Sequence, residues 1–424
     1  MNFFRKIIGT TLFKITSLNS FSVVLKIGIG LITSKVLAVF VGPAGMALVG
    51  NLRNFLTSVE SISTLGFQSG IIKYVAENQK NKEVLKSIMA TVFISLISIA
   101  FILSGVLYFF ASFWSNNILD PHFDYSLVFK ILALVLPWYA VSVFLLAVLN
   151  GLSEFKKVIT INILGNIIAL LVSLLMIYQF RTLGALLAII ISPSLLFFVT
   201  FYSVQKEISF IQTIRLRFYD FKIIKDLLPY SLMTLVSSVL GSIVFLAIRN
   251  NVIKNLGIDQ AGYLETMTRI SSYYLMFITT ILSVYFLPKL SKAQNNNETK
   301  AVFWQYYKFI LPVFCAGIIA VYLSRFFIIH LLFTKDFLPV SSLFLWQLTG
   351  DVFKVASLIL GYQFFAKKMT KAFIVSEIFS LTILYFLSLL FIKYFGIQGI
   401  VMAYALDSFV YLVVLCFYFR KSLI

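Results

Sequence analysis

The sequence predicts an all-α, polytopic membrane protein with twelve transmembrane helices in two six-helix lobes, and three observations lead there. Hydrophobic residues make up 60% of the 424 and charged ones only 12%, against about 45–50% apolar and about 25% charged in soluble domains. The apolar residues fall in long unbroken runs, of the length that crosses roughly 30 Å of hydrocarbon. They do not alternate, as the strands of an outer-membrane barrel would. Of the 35 Lys and Arg, 23 lie at the termini and in even-numbered loops, and eight in or beside odd-numbered ones. Cationic loops stay on the cytoplasmic side, so an even number of spans with both termini cytoplasmic is expected. The net charge of +19 then reads as membrane orientation and not as a nucleic-acid surface.

The first span is expected at 15–41, a retained helix with no small-residue cleavage site. Lys26 lies near its middle, too deep for easy snorkelling, and should meet a partner or an anion. Lys35 is nearer the outer end, where snorkelling and a cavity role are both open. The second span, 44–75, is the most polar. Arg53, Thr57, Glu60 and Thr64 fall at i, i+4, i+7 and i+11, one stripe at helical spacing that suits a cavity wall or an interhelical seam. The third span, 84–112, leads to Ser115–Asp124, a loop with no Lys or Arg that suits the outer face. Spans four to six are expected at 125–151, 158–180 and 183–205.

The longest break in hydrophobicity, 206–225, is expected to be a cytoplasmic linker between an N-terminal lobe, 1–205, and a C-terminal lobe, 226–424. Span seven, 226–253, carries a row of small polar residues, Ser231, Thr234, Ser238 and Ser242, that ends near Arg249, either a cavity residue or an interface anchor. Span eight, 260–290, holds Glu265 and Arg269 at i, i+4, and span ten, 338–365, holds Asp351 and Lys354 at i, i+3. Both spacings suit self-contained ion pairs, and Asp351 with Lys354 suits a gate. Spans nine, eleven and twelve are expected at 301–324, 372–394 and 398–419. Glu377 and Asp407, in the last two, have no cation one turn away in sequence and suit proton carriers or neutral hydrogen-bonded carboxyls.

The halves echo each other. Gly151-Leu-Ser-Glu-Phe-Lys-Lys157 before Gly184 resembles Gly361-Tyr-Gln-Phe-Phe-Ala-Lys-Lys368 before Gly399, and Gly42-Pro-Ala-Gly45 before Arg53 resembles Gly257 to Gly262 before Arg269. Six-span repeats of equal orientation imply a pseudo-two-fold axis along the membrane normal. No enzyme signature is present: there is no phosphate-cradling P-loop and no nucleophile elbow. Cys315, Cys416, His122 and His330 have no metal-site or disulfide spacing. No catalytic residue, metal or cofactor is expected, and coupling to a proton or sodium gradient remains open. The cations Lys26, Arg53, Arg249, Arg269 and Lys354 outnumber Glu60, Glu265 and Asp351, a balance that suits an anionic cargo.

Leu25-Lys-Ile-Gly-Ile-Gly30, Lys35 to Gly45, Asn51-Leu-Arg-Asn54, Lys73-Tyr-Val-Ala76, Ser283 to Pro288 and Leu343 to Val355 with Gly361-Tyr362 resemble the Wzx-type flippases of lipid-linked oligosaccharides. These belong to a superfamily that includes multidrug antiporters. The resemblance covers essentially the whole chain. It implies translocation of an undecaprenyl-pyrophosphate-linked oligosaccharide, such as an O-antigen or enterobacterial common antigen unit, from the inner to the outer leaflet by alternating access. Lys26, Lys35, Arg53, Arg249, Asp351 and Lys354 match charged positions of the family, whereas Glu265 and Arg269 depart from it. The implied partners are the lipid-linked glycan, membrane lipids, a periplasmic glycan polymerase and a chain-length regulator; nucleic acid is not among them. The alternatives are a small-molecule or drug antiporter on the same fold, and a membrane glycan polymerase, which the short outward loops disfavour.

Overall fold

The computed structural model describes residues 11–205 and 214–423, and among them all regular structure is helical. In hydrocarbon every backbone polar group must be satisfied within the segment, which helices do. Ten helices are long and apolar enough to cross a membrane. The 51-residue Phe155–Gln205 helix among them is two spans joined without a loop, because Arg181 adopts φ 52° and ψ −122°. A Cβ on Gly184 would lie 1.8 Å from the Met176 carbonyl oxygen, so the reversal depends on glycine there. Adding the more polar Gly42–Ser63 helix makes twelve spans. The others are Thr11–Phe40, Lys82–Phe109, Ser126–Gly151, Asn296–Leu323, Thr370–Phe395 and Ile397–Tyr418, with the seventh, eighth and tenth at Phe221–Leu256, Ile258–Lys292 and Lys335–Ala366. π-turns at Val236–Leu240 and Leu282–Phe286 interrupt spans seven and eight.

The second span is shorter than the 44–75 expected from hydropathy. It ends at Ser63, and a separate helix runs over Gln68–Glu77. The Ser63 and Thr64 hydroxyls donate to the Glu60 carbonyl at 2.9 and 2.8 Å, a local alternative to the helical ladder. Leu65 and Gly66 then take φ of 52° and 61°.

The chain forms two compact units, one of residues 1–36 and 55–239, the other of residues 37–54 and 240–424. Relative to lobes of 1–205 and 226–424, residues 37–54 and 226–239 change places. The first unit packs around Phe67, Val75, Met89, Phe144, Val148 and Leu227. Within it the Ser238 hydroxyl meets that of Ser61 at 2.6 Å, and the Ser231 hydroxyl donates to the Leu65 carbonyl, so the polar row of span seven is there a seam to span two.

Residues 206–213 of the expected linker lie outside the described residues. Those that follow are held on span three, where the Ser87 hydroxyl donates to the Phe218 carbonyl and the Asp220 N–H donates to Thr91 Oγ1, each at 2.8 Å. Asp220 caps span seven by accepting from the Lys222 N–H at 2.9 Å, so this span begins at Phe221, before the expected 226.

The second unit packs around Ala47, Ile248, Val252, Ala261, Leu384 and Ile400. Span two approaches span eight closely enough that a Cβ on Gly262 would lie 2.0 Å from the Pro43 carbonyl oxygen. Across both units large apolar side chains face outward along the spans, Phe101, Phe109, Val313 and Leu323 among them. An apolar exterior over long helices is the pattern expected of a multi-pass membrane protein.

Candidate functional site

The second unit carries two polar groups that border one cavity. The first begins at Gly257, whose φ of 96° allows span seven to turn directly into span eight. Arg249 lies eight residues before this turn and Glu265 eight after it, so at about 1.5 Å per residue they reach the same depth. Arg249 Nη2 lies 2.8 Å from Glu265 Oε2, and Arg269 Nε, one helical turn along, lies 3.2 Å from Oε1. Arg53 of span two completes the group, with Nη1 3.0 Å from the same Oε1. Three guanidiniums therefore share one carboxylate.

Arg249, Glu265 and Arg269 are buried, at 5%, 2% and 5% exposure, while the Arg53 side chain is 42% exposed. Arg249 Nε and Nη1 are buried without an acceptor. Gly50 makes the approach of span two possible, since a Cβ there would lie 2.2 Å from Arg249 Nη1 and 2.5 Å from Glu265 Oε2. Nearby, Asn51 Nδ2 donates to Asn250 Oδ1 at 3.3 Å.

The second group surrounds Asp351 of span ten, which is fully buried. Its Oδ2 accepts from the Ser271 hydroxyl at 2.7 Å and from the Tyr274 hydroxyl. Its Oδ1 accepts from the Tyr404 hydroxyl at 2.7 Å and from Gln347 Nε2 at 3.4 Å. Tyr404 comes this close because Gly350 has no side chain: a Cβ there would lie 2.6 Å from its ring. The carboxylate is thus solvated by neutral donors, a satisfied arrangement for a buried charge.

The ion pair expected between Asp351 and Lys354 does not form. No salt bridge joins them, and Lys354 Nζ sits 5.6 Å from the centroid of the Tyr404 ring. Spacing of i, i+3 makes two residues neighbours, but hydroxyls from spans eight and twelve already fill the acceptor sites of Asp351.

A cavity of about 270 Å³ opens between the groups, lined by Arg249, Asn54, Ser271, Gln347, Asp351, Lys354 and Tyr404 among others. Its wall combines cationic and hydroxyl donors, the chemistry that replaces water around an anion. Of the residues singled out from sequence, Arg249, Asp351 and Lys354 line it, and Arg53, Glu265 and Arg269 join Arg249 in the first group. Lys26, Lys35 and Glu60 belong to the other unit. There Lys26 is exposed and Lys35 half-buried on the first span. Glu60 is half-buried on span two, and the division into units falls between Arg53 and Glu60. Asp407 accepts from the Ser380 hydroxyl at 3.1 Å with both oxygens, while Glu377 is half-buried on span eleven.

Ser271, Tyr274, Tyr404, Gln347 and Gly50 were not legible as site residues. Serine and tyrosine are common in membrane helices, and nothing in their spacing marks them. Glycine carries no chemistry of its own.

The sequence signature of a family described as polysaccharide biosynthesis protein matches residues 36–342. Two curated proteins named Lipid III flippase, from Escherichia coli (strain K12) and Shigella flexneri, are each 29% identical over 403 residues, covering 93% of this chain and 95% of theirs. Among solved structures, an inward-facing multidrug resistance MATE family transporter of the MOP superfamily superposes with a TM-score of 0.72 at 16% identity, covering 93% of this chain and 94% of its own. A MOP superfamily transporter from Pyrococcus furiosus, described by the reverse polarity of its binding pocket, gives 0.71 at 15% identity, covering 96% and 95%. The fold is that of these transporters, and with the family signature covering well over half its length the chain belongs to the polysaccharide biosynthesis protein family.

Proposed function

We propose that this protein is a flippase that moves an undecaprenyl-pyrophosphate-linked oligosaccharide from the cytoplasmic to the periplasmic leaflet of the bacterial inner membrane by alternating access, with both termini cytoplasmic. The observation that carries the reading is the arginine cluster beside the cavity: Arg53, Arg249 and Arg269 share the single carboxylate of Glu265, and Arg249 and Lys354 line the cavity itself. The full-length similarity to Lipid III flippases supports a lipid-linked glycan as the cargo class.

A pyrophosphate-sugar head cannot enter hydrocarbon unaided, because its charges would lose their water without replacement. Guanidiniums replace that water well, as their planar forks match phosphate oxygens. The hydroxyl and amide groups of Ser271, Gln347 and Tyr404 suit the sugar, while the polyprenyl tail remains in lipid. Lys26 and Lys35, on the first span, are further cations that would act on the anionic head. Asp351, Glu60, Glu377 and Asp407 are the groups through which a proton or sodium gradient would act. A periplasmic glycan polymerase and its chain-length regulator are the partners that would consume the exported unit.

The test is translocation of radiolabelled lipid-linked oligosaccharide in vesicles containing the purified protein. Protein-dependent appearance of label on the far side, lost in Arg249→Ala and Arg53→Ala with both variants still folded, is the expected result. Efflux of small organic cations with no movement of lipid-linked glycan would instead establish an antiporter on this fold.

A further inference from the structure

Glu265 stands where an anionic group of the cargo would stand. Its two oxygens accept from Arg249, Arg53 and Arg269, the same guanidinium donors that bind phosphate oxygens. One carboxylate balances one of three cations and leaves two formal positive charges. Arg249 keeps two donors, Nε and Nη1, with no acceptor, although it is 5% exposed and faces the cavity. Buried donors left unfilled are costly, and acceptor oxygens arriving from the cavity would relieve that cost.

We propose that Glu265 is an internal counter-anion: it competes with the phosphate-type oxygens of the cargo for Arg53 and Arg249, is displaced when cargo binds, and drives cargo off when it returns. This rests on the anionic-cargo reading above. A pyrophosphate offers more oxygens and more charge than a carboxylate, so exchange is favourable on entry. Displacement does not strand Glu265, because Arg269, one turn along the same helix, moves with it and holds it at i, i+4. Three clustered arginines without a resident anion would repel one another and would hold a pyrophosphate too tightly for rapid release. The competitor lowers affinity in both states and so permits turnover, since cargo leaves only if its binding advantage over the alternative is modest.

The test uses the full chain in phosphatidylcholine nanodiscs titrated with inorganic pyrophosphate, read by calorimetry and by the rise of the thermal midpoint. Glu265→Gln is expected to bind pyrophosphate at least about tenfold more tightly than the parent, to gain more in midpoint, and to translocate lipid-linked glycan at least about tenfold more slowly. Glu265→Asp keeps the charge but, one methylene shorter, cannot reach all three arginines; intermediate tightening is expected, and this variant carries the test if Glu265→Gln does not fold. Pyrophosphate affinity unchanged or weakened in the folded variant overturns the proposal and leaves Glu265 a fixed structural clamp. Tightening that requires phosphatidylglycerol nanodiscs overturns it too, because the ligand would then be a lipid headgroup. Tightening in phosphatidylcholine by a protein that translocates no lipid-linked glycan upholds the competition and overturns the flippase reading, so the two fail separately.

Discussion

Gly50 decides whether the arginine cluster can exist. The Cβ of Gly50→Ala would press on Arg249 Nη1 and Glu265 Oε2, and overpacking of this kind costs about 1–3 kcal/mol. Gly50→Ala is expected to lower the thermal midpoint in detergent and to weaken pyrophosphate binding. Gly28→Ala, where nothing lies within 4 Å, is the matched control, expected to be neutral or stabilising by up to about 1 kcal/mol. At Asp351 the hydrogen bonds identify which partners couple. In double-mutant cycles on unfolding, Asp351→Asn with Tyr404→Phe should show coupling of about 1–3 kcal/mol, as a hydrogen bond to a charged group implies. Asp351→Asn with Lys354→Gln should be additive within about 0.5 kcal/mol. The reverse ranking would restore the Asp351–Lys354 pair as the coupled element.

At the scale of elements, the breaks matter as much as the helices. Span two stops where Leu65 and Gly66 take positive φ, and the Ser231 carbonyl oxygen lies 3.0 Å from where a Cβ on Gly66 would stand. Left-handed backbone costs non-glycine residues roughly 1–2 kcal/mol, so Gly66→Ala should destabilise by at least about that much in a thermal or urea unfolding series. Arg181 is the opposite case, a non-glycine residue at φ 52° between spans five and six. Arg181→Gly is expected to raise the midpoint, and a fall would show that the arginine side chain contributes more than its backbone strain removes. The serine seam of Ser231 and Ser238 explains why span seven is polar over its first half: these hydroxyls serve packing within the first unit and not the cavity.

For the whole molecule, the distribution of cations predicts orientation. Asn116 and Leu216 are both exposed, on opposite sides of that assignment. In a background lacking Cys315 and Cys416, Asn116→Cys should react with a membrane-impermeant maleimide on intact spheroplasts, and Leu216→Cys only after permeabilisation. The opposite pattern would reverse both topology and the direction of transport. The segment 115–124 that carries Asn116 is ordered by its own polar groups. Asp120 Oδ1 accepts from the His122 N–H and Asp124 Oδ1 from the Ser126 N–H, each at 2.8 Å, and the latter bond holds the Asp124 carboxyl below the usual carboxylate range.

Span number, span order and the cationic character of the site follow from one-dimensional quantities, because a bilayer demands a fixed length of apolar helix and sorts Lys and Arg by side. Local pairing follows as well: Glu265 and Arg269 are four apart and do pair. What the chain order conceals is every meeting across spans. Arg249 is 16 residues from Glu265 and Arg53 is 212 away, while the donors to Asp351 come from as far as 80 residues along the chain. The spacing within span two marks Arg53 as polar, yet it does not disclose that Arg53 turns to Glu265 of span eight. Hydropathy is a sum over neighbours in sequence, whereas a buried charge chooses its partner by competition among all donors within about 3 Å. That competition is decided only when Gly50, Gly262 and Gly350 let the helices close.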